Sequence, residues 1–175
     1  MFSRLSKVVP LMLVLVLLAV SAVPALAAPP GPTIVDVAIA VNSDGQFDTL
    51  IAAVLAADPA VVNTLSGNGQ FTVFAPTDDA FAALGLTPDN IGTLPQGFLT
   101  DVLLYHVAPG RRDSSDVLDS DRIRTLLKGK DGFLFQDGGV LTDNLDRTAN
   151  IIVTDVPAAN GIIHAIDAVV LPYAP

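Results

Sequence analysis

The sequence predicts an α+β fold in a single domain. Two observations carry this. Apolar residues at helical spacing are concentrated between Ile34 and His106, whereas beyond Asp121 short apolar runs are separated by the turn signals Asp131-Gly132, Asp137-Gly138-Gly139 and Asn160-Gly161. Helices early and strands late, within 175 residues, favour α+β over the regular alternation of a parallel α/β sheet.

The elements follow in order. Arg4 and Lys7 precede an uncharged stretch from Val8 to Ala28 with an apolar centre at Leu11 to Val20, a break at Pro24 and the small-residue signal Ala25-Leu26-Ala27. This is the layout of a secretory signal peptide over residues 1–27. An uncleaved membrane anchor is the competing reading, since the stretch is about long enough to span a bilayer; the short apolar centre and Pro24 favour cleavage. Residues 28–33 form a Pro-rich tether, the folded domain runs over 34–172, and 173–175 are a short tail. Helices are expected over Ile34 to Val41 and Phe47 to Ala57, the second with Phe47, Leu50, Ile51, Val54 and Leu55 on one stripe. Pro59 ends that run, and Ala60 to Leu65 forms a short turn before Ser66-Gly67-Asn68-Gly69 breaks the chain. Phe71, Val73 and Ala75 mark a strand closed by Pro76, and Thr77 is placed to cap a helix whose dipole Asp78 and Asp79 complement. A further helix places Phe98, Val102 and Tyr105 on one stripe and Leu99, Leu103 and His106 on the next, and it stops at Pro109-Gly110. A polar, Asp-rich stretch from Arg111 to Asp121 follows, then strands. Asn160-Gly161 is expected to supply the positive φ angles of a tight turn into the last of them.

Composition narrows the function. The formal charge is −9, every one of the 18 acids is Asp, and removing Arg4 and Lys7 with the leader lowers the charge to −11. Such a surface opposes nucleic acid and anionic membranes. There is no cysteine, so an exported chain must rely on its core alone, for which a domain of this length suffices. No Asn-x-Ser/Thr sequon is present, in keeping with a bacterial source.

Few residues could carry chemistry. Asp78 and Asp79 are adjacent in a helix and point about 100° apart, which suits capping better than paired-carboxylate catalysis. His164 lies in an alternating run with Ile162 and Ile166 and reads as a satisfied core residue. With two His and no Cys, the usual structural zinc sites are unavailable. No G-x-S-x-G elbow accompanies either His, so a Ser-His-Asp hydrolase has no support. Asp113, Asp116, Asp119 and Asp121 raise calcium, but their spacing matches no EF-hand, and Arg111, Arg112, Arg122 and Arg124 are placed to neutralise them in a solvated mixed-charge face.

Three segments at set intervals, FTVFAPTDDAF at Phe71 to Phe81, LLYHVAPG at Leu103 to Gly110 and NGIIHAIDAVVLP at Asn160 to Pro172, resemble the fasciclin-like (FAS1) domain. The resemblance covers about Ile34 to Pro172. It implies a wedge or sandwich of about seven strands packed against several helices, and a secreted, non-catalytic adhesion or interaction module. Some animal members support integrin-dependent adhesion through a Tyr-His motif and an Asp-Ile pair. Here these correspond to Tyr105-His106 and Asp155-Val156, the latter with Val in place of Ile. Arg112-Asp113 lacks the glycine of an Arg-Gly-Asp motif. The expected partners are an extracellular protein or polysaccharide, with self-association as a further option, no nucleic acid, no membrane after cleavage, and neither cofactor nor metal. At what should be a helix end, Tyr105 and His106 are read as mainly structural, with partner contact as the alternative. The second functional reading is a carrier holding a small apolar ligand in a cleft between sheet and helices.

Overall fold

The computed structural model describes residues 31–42, 45–129 and 131–174. The signal-peptide reading of residues 1–27 and the first half of the expected tether fall outside the described residues. Each early helix starts where a side chain satisfies its free N–H groups. Helix α1 (Ile34–Val41) carries a capping box between Thr33 and Asp36, and α3 (Pro59–Leu65) is capped by Asp58 with Pro59 in the first turn. Helix α2 (Asp48–Ala56) begins one residue later than the apolar stripe suggests, because Phe47 occupies its cap and offers no hydrogen bond. The carboxylate of Asp78 substitutes from a distance, accepting from Thr49 N at 2.8 Å and Asp48 N at 3.2 Å. Asp78 itself opens α4 (Asp78–Ala82), capped by Thr77 as expected.

Seven strands form the sheet: β1 (Phe71–Pro76), β2 (Val107–Pro109), β3 (Arg122–Arg124), β4 (Phe133–Asp137), β5 (Val140–Thr142), β6 (Thr148–Ala158) and β7 (Gly161–Ile166), in the order β2-β1-β7-β6-β5-β4-β3. The β1–β7 pair is parallel and every other pair antiparallel. All residues of β1 and β7 are buried, as befits inner strands covered on both faces. Just past β3, Leu126 N donates to Val107 O at 2.7 Å, so the two ends of the sheet meet and the sheet closes into a wedge. Phe74, Tyr105, Ile123, Leu134, Leu141 and Ile166 fill a core inside it. A second core joins the sheet to α1–α4 and α5 (Gln96–Tyr105). The result is the expected α+β architecture.

Three local expectations are corrected. The helix ending at Tyr105 does not run to Pro109: His106 is its cap, and Val107–Pro109 become β2 because pairing with Phe71–Val73 satisfies their backbone better than another helical turn before a proline. The Asp-rich stretch holds a short helix, α6 (Ser114–Leu118), capped by Asp113, whose side chain accepts from Asp116 N. Neither Asn160 nor Gly161 has a positive φ. The glycine is required instead by close approach, since a Cβ there would collide with the carbonyl of Phe71 and the side chain of Ile34.

Candidate interaction site

Tyr105 and His106 lie inside the protein, both buried. The Tyr105 hydroxyl donates to Phe133 O at 2.7 Å, tying the end of α5 to β4. Burial, with the nearby Asp143 charge second, raises its pKa well above that of a free phenol. His106 Nδ1 lies 2.7 Å from Val102 O and Nε2 accepts from Val170 N at 3.3 Å. A carbonyl can only accept, so Nδ1 carries the proton and the ring is the neutral tautomer. Burial lowers its pKa to about 4, a shift that the Val102 hydrogen bond opposes. Any contact by these two side chains with a partner would require the surrounding shell to open.

Asp155 and Val156 sit elsewhere, on a bulge in β6. The β6–β7 register shifts between Ile151 and Val153 and again between Val153 and Val156, and Asp155 adopts φ +61°. This left-handed conformation is uncommon outside glycine, and Asp is among the residues that adopt it most readily. Three bonds hold it: Asp155 N donates to His164 Nδ1 at 3.2 Å, and the carboxylate accepts from Ser114 N at 2.8 Å and from Ser114 Oγ at 2.5 Å. The hydrogen bond from the Ser114 side chain is the main influence holding the Asp155 carboxyl below the usual carboxylate range. His164 is buried, stacks on Phe74, and its Nε2 donates to Arg112 O at 3.1 Å, the satisfied core residue that the sequence pattern suggests. Sequence reasoning missed what this bulge displays. Ile152 and Val153 stand 52% and 48% exposed beside Asp155.

Ser114, Asp155 and His164 thus come together, but not as a nucleophilic triad. Both His164 nitrogens are committed to backbone groups and the Ser114 hydroxyl bonds the Asp155 carboxylate directly, so no imidazole faces the nucleophile. Among the described residues, no three His, Cys, Asp or Glu side chains gather as a metal site.

Two further networks were not foreseen. The buried Asp143 carboxylate accepts from Leu145 N, Arg147 N, Leu171 N and the Arg147 guanidinium, whose Nη2 also reaches Val169 O. Burial alone would raise its pKa, yet these donors together hold it below the usual carboxylate range. The Asp-x-x-x-Arg spacing around the Asn144-Leu145 turn was the available signal. The buried Asn160 side chain accepts from Ile34 N and donates to Leu65 O and Gly67 O, locking α1 and α3 to the start of β7.

An apolar cleft of about 340 Å³ opens between α2, α5 and the segment after β7, lined among others by Leu50, Phe81, Leu99 and Leu103 and bordered by His106 and Arg147. A smaller cleft of about 100 Å³ under α1 shares Leu50, Leu103 and His106 with it.

The family model of the fasciclin domain matches residues 45–172. Protein sll1483 of Synechocystis sp. is 43% identical over 142 residues, covering 80% of this chain and 73% of that protein. The cell surface glycolipoprotein MPB83 of Mycobacterium bovis is 33% identical over 142 residues, covering 79% of this chain and 61% of that protein. A solved FAS1 domain pair from the insect cell adhesion molecule fasciclin I superposes with a TM-score of 0.59 at 21% identity, covering 81% of this chain and 51% of that one; that likeness is one of fold. On sequence and architecture together, the chain belongs to the fasciclin (FAS1) domain family.

Proposed function

We propose that this chain is a secreted, non-catalytic interaction module that binds protein or glycan partners at the cell surface or in an extracellular matrix. The observation that carries this reading is the β6 bulge. Two exposed apolar side chains, Ile152 and Val153, are presented next to the strained but firmly held Asp155. Backbone strain held by surrounding bonds is a mark of functional positions, and a rigid apolar pair rimmed by a charge suits a protein contact. A family relative described as a cell surface glycolipoprotein supports the same setting. Labelled protein should bind saturably to the envelope of its own source cells, and Ile152→Ser with Val153→Ser should abolish the protease-sensitive part without altering the fold. Undiminished binding by that variant would overturn the assignment to the bulge.

A second reading, carriage of a small apolar ligand, is favoured by the cleft of about 340 Å³, which is within the size range of small-molecule sites. Native mass spectrometry of the secreted protein should then show co-purifying mass. A bare polypeptide that also fails to take up an apolar fluorophore would refute it.

A further inference from the structure

Seven basic residues follow the leader, and four of them, Arg122, Arg124, Lys128 and Lys130, fall between Asp121 and Asp131 with no acid among them. In so acidic a chain this is a local reversal of sign. The neutralisation expected from the preceding Asp residues does not form. Among the described residues the ion pair found is Arg147–Asp143, Asp113 caps α6, and Arg111 donates to Ala158 O and Gly161 O.

Arg122 and Arg124 instead turn to an aromatic ring. Their guanidinium carbons lie 4.3 and 4.7 Å from the centroid of Phe133. In the antiparallel β3–β4 register Arg122 faces Phe135 and Arg124 faces Phe133, while the intervening Ile123 and Leu134 are buried on the opposite face. The four side chains therefore share the outer face of the terminal strand pair, with Phe135 50% exposed. Arg124 Nη1 also donates to Gly129 O at 3.2 Å, which draws the turn bearing the exposed Lys128 to the same edge. A guanidinium lying over a ring is oriented by it, and the N–H groups of Arg122, with those of Arg124 not given to Gly129 O, are placed to meet an anion.

We infer that the outer face of the β3–β4 pair is a binding site for an anionic polysaccharide, whose carboxylate or sulfate groups engage Arg122 and Arg124 while an apolar sugar face lies on Phe135. This gives the glycan part of the proposed function its chemistry and rests on that reading only for the extracellular setting; the β6 bulge takes no part. A glycan alternates charge with apolar ring faces, as this surface does. Nucleic acid, with its denser and stiffer charge, would carry phosphates past the cluster toward the surrounding Asp residues. At physiological salt the screening length is about 8 Å, so a short anionic segment responds to the local cluster more than to the net charge.

The test uses the secreted protein on four immobilised probes: heparin for sulfate, polygalacturonate for carboxylate, neutral dextran, and polyaspartate as an acidic peptide. Binding to heparin or polygalacturonate, or both, and not to dextran is expected at low salt, weakening as salt rises. Arg122→Gln with Arg124→Gln should weaken it about tenfold or more and flatten the salt dependence. Phe135→Ser should weaken it severalfold at an unchanged salt slope, and Lys128→Gln, at a turn, gives a milder loss that survives any misfolding of the double variant. Ile152→Ser with Val153→Ser should bind these probes as the unmodified protein does, which separates this site from the proposed protein contact. Absence of binding to both anionic glycans, equal binding to dextran, stronger binding to polyaspartate, or unaffected variants would overturn the inference.

Discussion

His106 makes the stability of this domain depend on mild acid. The neutral ring is held between Val102 O and Val170 N in the buried core, with its pKa lowered from 6.5 to about 4. Because the unfolded chain takes up the proton first, the contribution of the neutral ring is complete above about pH 6.5 and is lost as pH falls toward about 4. A shift of that size corresponds to about 3 kcal/mol, a substantial share of the ~5–15 kcal/mol typical of a folded domain. Urea unfolding at intervals between pH 7.5 and 4 measures it directly. The unmodified protein should lose stability toward a limiting slope of about 1.4 kcal/mol per pH unit from this residue, and His106→Gln, which cannot titrate, should be less stable at pH 7.5 but lack that component. Parallel pH profiles for the two proteins would refute the argument, since they would mean that the imidazole is not held neutral by the fold.

Other perturbations have equally definite outcomes. Asn160→Ala leaves Ile34 N, Leu65 O and Gly67 O without their partner and should cost about 2–4 kcal/mol in chemical denaturation; a loss within experimental error would show that water replaces the amide. Gly161→Ala forces β1 and β7 apart at Phe71 and should cost about 3 kcal/mol or more, read as a fall in thermal midpoint, with an unchanged midpoint as the contrary result. Asp143→Asn removes the charge that pairs with Arg147 and should cost about 3 kcal/mol at pH 7. The Asp143 pKa is depressed in the folded state, so this difference should shrink as pH falls below the ordinary carboxylate range, and a difference that grows instead would reverse the assignment.

Local rules made much of the fold legible. Thr77, Pro59 and the Gly138-Gly139 turn act where their chemistry is short-range, and the two glycines adopt the positive φ angles such a turn requires. What escaped was set by distant partners. Val107–Pro109 continue an apolar helical run in sequence, yet β1 claims them as a strand. Asp78 looked like a cap for its own helix, and its carboxylate serves α2, thirty residues earlier in the chain. Of the candidate site, Tyr105-His106 and Asp155-Val156 were identifiable as motifs, but their separation into a buried pair and a surface bulge depends on the β6–β7 register shifts. The Arg residues looked like counter-ions to neighbouring Asp because sequence proximity suggests pairing; strand alternation turned two of them toward Phe133 instead.

The parallel pairing of β1 with β7 has a consequence for biogenesis. Phe71 must find Gly161, and the one parallel seam of the sheet is assembled from the first and last strands of the chain. Contacts so distant in sequence form late and slowly. Until the final strand leaves the ribosome, β1 lacks its inner neighbour and the wedge has no seam to close around. Under the secretion proposed above, that ordering would keep the chain from completing its fold before its last strand is made.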